Sequence, residues 1–287
     1  MKTGLRITKL MSVVVTLSAV LLVTGWKGAE PVQAAANATP SYEVKLLLDT
    51  AQVLNADGSL KSGIVNEFQI SNDAQRLSVE YFDTNSLQLN DEGWNVRFRK
   101  KEDKKNYELT YKKRYTVTNG NIDAALTQAN KEGFSASDDN YEAEVDWGYS
   151  KQTLSFSNDK KTNASKGLAL PSPDQALKQL QDNLPGKLQN WKNSNWGKQT
   201  LADSRVRGPV QVSKYKGSFQ GLDADVEIWP IRSANGSGTD SIIEISFKTT
   251  DYSVAASNRT KLMNLLQSKG WLVPADSLKT NLVLERY

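Results

Sequence analysis

The sequence predicts an α+β protein, mainly β, built as a closed antiparallel barrel with flanking helices and a charged interior. Short segments in which apolar and polar residues alternate recur from residue 42 to residue 248, so a period of two dominates the chain. Along these segments, charges of one sign repeat at i and i+2, which puts them on a single face of a strand. Both signs occur this way, on successive segments.

The pattern is clearest in residues 93–113, GWNVRFRKKEDKKNYELTYKK, which read as two strands joined by a charged turn. Arg97 and Arg99 share one face, with Val96 and Phe98 opposite; Glu108, Thr110 and Lys112 share another, with Leu109 and Tyr111 opposite. For any one strand a solvated outer face explains this equally well. Its recurrence is what a charged barrel interior explains.

Taken in order, 36–41 is a short polar linker and YEVKLLL (42–48) a strand with Glu43 and Lys45 on one face. Residues 49–70 carry short helical pieces around an Asn-Ala-Asp-Gly-Ser turn. LSVEYFD (77–83) precedes the central strand pair, and 121–128 begins a short helix. YEAEVDW (141–147) aligns Glu142, Glu144 and Asp146. Residues 149–170, rich in Ser, Asn, Lys and Asp, read as an exposed connection, part of an insertion spanning about 149–200. Within it, 173–184 has helical spacing and Pro185-Gly186 stops it. The second half repeats the style of the first. Arg205 and Arg207 are in phase in 202–207, Lys214 and Lys216 in 209–216, and Asp223, Asp225 and Glu227 in 222–229. A hairpin turn at 235–238 leads to 241–248, with Glu244, Ser246 and Lys248 on one face, and 252–269 is an amphipathic helix ended by Gly270.

Composition narrows the chemistry. The 287 residues are 38% hydrophobic with 24 aromatic side chains, enough for a packed core, and contain no Cys and no His. That excludes a Ser-His-Asp triad, a Cys nucleophile, zinc on His or Cys, and disulfides. A bound metal would need oxygen ligands, which favours magnesium, manganese or calcium. Lys2, Arg6 and Lys9, the apolar run 11–23 and the small residues at 32–36 read as a signal peptide over 1–35, hence a secreted protein with no membrane anchor after cleavage. A retained anchor is the competing reading. Removing that segment takes four cations and one carboxylate from the net +4, leaving +1, so no basic footprint for nucleic acid remains. The oligomeric state is not legible.

Collected by face, the inward candidates are the cations Lys45, Arg97, Arg99, Lys112, Arg205 and Arg207 and the anions Glu43, Glu142, Glu144, Asp225, Glu227 and Glu244. Guanidinium and ammonium pairs suit a phosphate chain, and carboxylate groups suit one or two divalent cations. Together they would support phosphoanhydride hydrolysis. Internal pairing of the two signs as salt bridges is the alternative.

Several segments then carry a family resemblance: YEVK (42–45), YFDTNSLQL (81–89), GWNVRFRK (93–100), ELTYKK (108–113), YEAEVDW (141–147), SRVR (204–207), DVEIW (225–229), IIEISF (242–247) and a late Lys279. In this order they resemble the CYTH proteins, or triphosphate tunnel metalloenzymes, which include class IV adenylyl cyclases, thiamine triphosphatases and inorganic triphosphatases. The resemblance spans about 41–287 and implies one domain, 42–287, closing as an eight-stranded tunnel. It implies phosphate binding by Arg97, Arg99, Lys112, Arg205 and Arg207, and a Mg2+ or Mn2+ site among Glu43, Glu142, Glu144, Glu244, Asp225 and Glu227. Lys45 matches the lysine that serves as base or positions water. The family's E-x-E-x-K begins here with Ser41, and its later E-x-E ends with Ser246. The expected function is that of an exported phosphohydrolase acting on a triphosphate or polyphosphate. A non-catalytic barrel that binds a phosphorylated or anionic ligand, and a purely structural barrel, are the alternatives.

Overall fold

The computed structural model describes residues 1, 35–276 and 279–287, and Ala35–Tyr287 forms one compact unit. Nearly all of the expected signal peptide lies outside the described residues. Among the described residues no helix is long and apolar enough to cross a membrane.

Among the described residues, ten strands follow the alternating segments: β1 (Ser41–Leu48), β2 (Gln75–Asp83), β3 (Trp94–Lys101), β4 (Asn106–Val117), β5 (Glu142–Trp147), β6 (Gln152–Asn163), β7 (Arg205–Phe219), β8 (Leu222–Arg232), β9 (Thr239–Thr249) and the two-residue β10 (Leu272–Val273). They hydrogen-bond in the order β1-β5-β6-β4-β3-β2-β7-β8-β9, and β9 returns to β1 to close the barrel. β10 adds only to the end of β1. The helices are α1 (Thr50–Val53), α2 (Ser62–Glu67), α3 (Gln88–Asp91), α4 (Ile122–Lys131), α5 (Pro173–Asp182), α6 (Gly186–Gln189), α7 (Trp196–Ala202), α8 (Tyr252–Ser268) and α9 (Lys279–Arg286).

The barrel corrects the expected eight antiparallel strands. It has nine, and β1 runs parallel to β5, pairing Ser41 with Glu144 and Val44 with Trp147. The additional strand is β6, which occupies most of the stretch expected to be an exposed connection. It bonds along its whole length to β4 and over half of it to β5. Only Leu154 and Phe156 on β6 are buried apolar residues, and 158–163 is polar on both faces where the strand runs to the rim. That composition hides its periodicity. The insertion therefore shrinks to the segment that carries α5–α7. The linker is also shorter than expected and is not free: β1 starts at Ser41, and Asn130 on α4 donates to Ala35 O and Asn37 Oδ1. Nor are the halves equivalent, since six barrel strands precede α5 and three follow α7.

Outside the barrel, two apolar clusters cover the wall. One joins Trp94, Phe98, Tyr111 and Phe156 to α4–α7 through Leu126, Leu180, Leu188 and Leu201. The other joins Val44, Leu46, Val226 and Ile245 to Leu262 and Leu266 of α8. Ser172 starts α5 with a capping box ahead of Pro173, and Asp251 caps α8 by accepting from Ser253 N and Val254 N. A third cluster lies inside. Val283 and Leu284 of α9 pack on Leu77, Val79, Tyr81, Val210, Val212, Trp229 and Ile231, so α9 lies across one end of the barrel. With their apolar alternates committed to the outer clusters, the charged residues of β1, β3, β4, β5 and β9 have only the interior to face.

Candidate active site

The interior is a polar cavity of about 540 Å³. It receives Glu43 and Lys45 from β1, Arg97 and Arg99 from β3, Lys112 and Arg114 from β4, Glu142, Glu144 and Asp146 from β5, Glu227 from β8, and Glu244 from β9. A second cavity of about 310 Å³ opens beside α9, past Leu47, Thr153 and Asp276, and shares Lys45, Asp146 and Glu244 with the first.

Three carboxylates, Glu43, Glu144 and Asp146, bring oxygens within 4.8 Å of one another. Their juxtaposition follows from register: in the parallel β1–β5 pair Glu43 stands opposite Asp146, with Glu144 two residues back on the same face. Lys45 Nζ lies 2.7 Å from Glu43 Oε2 and 2.5 Å from Asp146 Oδ1, and Lys248 Nζ 2.5 Å from Glu144 Oε2. Lys112 is 3.6 Å from Glu144. Burial pushes the Asp146 carboxyl up, but Lys45, Lys112 and Arg114 outweigh it and hold it far below the usual carboxylate range. Burial wins at Glu43, which is raised, partly because Glu144 and Asp146 stand beside it. Lys45 is held well above the ordinary lysine value, since Asp146, Glu43, Glu244 and Glu144 overcome its desolvation. As it stands it is an ammonium, not a base.

The remaining carboxylates form a separate group. Glu227 and Glu244 are direct partners across β8 and β9, and Lys279 of α9 bridges them at 2.7 and 2.8 Å. Glu227 also accepts from Trp229 Nε1 and lies 3.3 Å from Lys214. Asp225 is held by Lys214 and Lys216, each at 2.7 Å.

The guanidinium groups behave differently. Arg99 is paired with Glu108 at 2.5 Å. Arg97 donates to Thr110 Oγ1 at 3.0 Å, but its buried Nε has no partner, and the buried Nε of Arg114 has none either, among the described residues. Burial lowers the Arg114 pKa despite the attraction of Asp146. Two under-satisfied guanidiniums thus line a polar chamber beside a carboxylate cluster.

Of the residues expected at the site, Lys45, Glu43, Glu144, Arg97, Arg99, Lys112, Glu227 and Glu244 line the cavity, and Glu142 lines it from an exposed position at the rim. Glu142 stands apart from the three-carboxylate cluster. Asp225 is engaged by its two lysines. Arg205 and Arg207 are not in the cavity and correct the expectation of phosphate contacts there. The β2–β7 register shifts between Val79 and Tyr81, and both arginines fall at the end covered by α9. Arg207 Nη1 donates to Leu284 O at 2.5 Å and Nη2 to Thr84 O at 2.9 Å, while Arg205 donates to Asn85 Oδ1 and Tyr287 O. They clamp α9 to the barrel. Conversely, Asp146 and Arg114 were not among the expected site residues. Asp146 is already aligned with Glu142 and Glu144 by the alternation, and one further step of two beyond Lys112 finds Arg114.

No family model matches this chain, and no curated protein matches it. Solved structures do. A Hippeastrum protein, a candidate adenylyl cyclase with a dominant triphosphatase activity, superposes with a TM-score of 0.44 at 13% identity, covering 85% of this chain and 99% of that one. A candidate adenylate cyclase from Bacillus halodurans gives 0.47 at 13% identity, covering 85% and 96%. One from Vibrio parahaemolyticus gives 0.42 at 13%, covering 85% and 98%.

Proposed function

We propose that the chain is an exported, divalent-metal-dependent phosphohydrolase that draws a triphosphate or polyphosphate chain into the barrel. The observation that carries this reading is the pair Arg97 and Arg114: both line the chamber, and each has a buried Nε without a partner among the described residues, which is costly unless an anion completes it. A phosphate chain does so with two-point contacts. The order of the sequence motifs supports the same class.

The donor set beside them fits magnesium or manganese, since Glu43, Glu144 and Asp146 offer only oxygens and already approach one another. These three would hold the ion, which supplies charge neutralisation for a phosphoryl group and a more acidic bound water. The chain's own residues do the rest. Arg97 and Arg114 hold non-bridging phosphate oxygens, and Lys112, on the same face of β4 as Arg114, lies 3.6 Å from Glu144. Lys45, charged by its surroundings, orients a phosphate oxygen or the attacking water rather than taking its proton. Loose phosphoryl transfer asks for such fixed positive charge and little covalent chemistry.

The test is phosphate release from tripolyphosphate with Mg2+ or Mn2+, beside Asp146→Asn. Metal-dependent release that falls at least about 100-fold in the variant is expected. A second reading, a barrel that binds the anion without turnover, is favoured by Ser41 and Ser246 at two positions where the resemblance expects carboxylates. It predicts thermal stabilisation by tripolyphosphate and no release.

A further inference from the structure

The carboxylates of the barrel fall into two groups that differ in what neutralises them. Around Glu43, Glu144 and Asp146 the counter-charges come from the strands themselves, and one of them, Lys248, has a side chain 58% exposed. Such an amine leaves for solvent at little cost when a competing cation arrives. At Glu227 and Glu244 the arrangement is fixed. These two glutamates are directly opposed across β8 and β9, a pairing that repels unless a cation stands between them. Lys279 Nζ stands there, 2.7 Å from one and 2.8 Å from the other, with its side chain 14% exposed and its ammonium 4.8 Å from the Trp229 ring centre.

Lys279 is delivered by α9, and α9 is anchored independently of the glutamates. Thr280 Oγ1 donates to Tyr81 Oη, Val283 and Leu284 are buried in the interior cluster, and Arg205 and Arg207 hold carbonyls at the helix's far end. Withdrawing Lys279 would mean undoing that packing. We infer that Lys279 acts as a tethered cation in the position of a second divalent ion, so that this barrel binds one metal ion, at Glu43, Glu144 and Asp146, and not two. The inference deepens the phosphohydrolase reading and rests on it for the first ion. It also reassigns Glu227 and Glu244 from metal ligands to counter-ions of the Lys279 ammonium. A single ion shared between one or two carboxylates and substrate phosphates is a common arrangement for magnesium.

The test counts ions. Mn2+ binding to the purified chain is titrated by electron paramagnetic resonance, with and without tripolyphosphate, for the native chain, Lys279→Met and Lys279→Arg. One ion is expected in the native chain and in Lys279→Arg, and two in Lys279→Met, where the glutamates are left facing each other without a cation. Two ions in the native chain overturn the inference, as does a folded Lys279→Met that still binds one. Should Lys279→Met fail to fold, the native count alone decides between one and two. Two ions with metal-dependent phosphate release would sink this inference and leave the phosphohydrolase reading standing; no ion and no release would sink both.

Discussion

Arg114→Met separates a binding site from an internal salt-bridge network, because the two assign opposite signs to its effects. In the barrel Arg114 carries a charge whose Nε has no hydrogen-bond partner among the described residues, and burial lowers its pKa despite the nearby Asp146. A lowered arginine pKa means that the charged form is less favourable folded than unfolded. Methionine keeps much of the length, stays apolar against the wall and removes the desolvated charge. Leaving a buried polar group without a partner costs about 1–3 kcal/mol, and the substitution relieves that cost. The field of Asp146 offsets part of this, so a gain of about 1–2 kcal/mol is expected without ligand. That raises Tm by about 2–4 °C for each kcal/mol. The same substitution removes charged hydrogen bonds to phosphate worth about 1.5–3 kcal/mol, weakening tripolyphosphate binding about 10–150-fold. Circular dichroism melts and calorimetric titration read the two effects on one preparation. A variant that melts lower and binds tripolyphosphate as well as the native chain would refute the argument and make Arg114 a structural ion.

Three further outcomes follow from placement. Arg207→Ala should cost about 2–3 kcal/mol in urea unfolding, because buried carbonyls of Thr84 and Leu284 lose a charged donor, while tripolyphosphate affinity stays within about twofold; a large loss of affinity at unchanged stability would return Arg207 to the cavity. Glu80 is buried with Oε1 unpartnered among the described residues, and desolvation raises its pKa from the ordinary 4.5 to about 7. Because the folded value is the higher one, folding favours the protonated form: this contribution is full below pH 4.5 and is lost as pH rises through 7. Glu80→Gln should therefore match the native chain at pH 4.5 and exceed its stability by up to about 3 kcal/mol at pH 8, read from urea melts at both values; equal stability at both would show that Glu80 has a partner. Gly93 sits at φ +72°, where a Cβ would come 2.8 Å from Arg114 O, so Gly93→Ala should cost about 2 kcal/mol by thermal melting. An unchanged Tm would show that β4 can shift there.

Most of the interior was legible because alternation is a strong constraint. Once Val44, Leu46, Val96, Phe98, Leu109 and Tyr111 are committed to outer clusters, Lys45, Arg97 and Lys112 have one face left, and the structure puts them there. What alternation does not carry is register between strands or breaks in phase. The parallel pairing of β1 with β5, which groups Glu43 with Glu144 and Asp146 rather than with Glu244, is a long-range fact with no local signal. The shift opposite Glu80 breaks the phase of β7, so Arg205 and Arg207 look like their counterparts Arg97 and Arg99 and do something else. β6 was missed because its outer half meets solvent on both faces and has no apolar face to reveal it.

The distinction that matters for function is between charges the fold has settled and charges it has not. Nearly every interior carboxylate that could be called a site on sequence grounds has an amine within ion-pair distance: Glu43 and Asp146 have Lys45, Glu144 has Lys248, Glu227 and Glu244 have Lys279, and Asp225 has Lys214. Pairing alone therefore argues for architecture as much as for chemistry, since buried ion pairs are weak evidence either of stability or of function. Arg97 and Arg114 break the symmetry. Arg207 shares the buried, unpartnered Nε but spends both Nη groups on carbonyls of the fold, whereas Arg97 and Arg114 line the chamber from adjacent strands beside a carboxylate cluster. Their positive charge is complementary to something the chain does not itself contain, and an anion that reaches both must also lie against Lys112 and the carboxylates beside it. That shared geometry ties anion binding to the metal-binding cluster, and it is why anion affinity and turnover should fall together when Arg114 is changed, whereas changing Asp146 should abolish metal-dependent turnover without weakening metal-free binding of the anion.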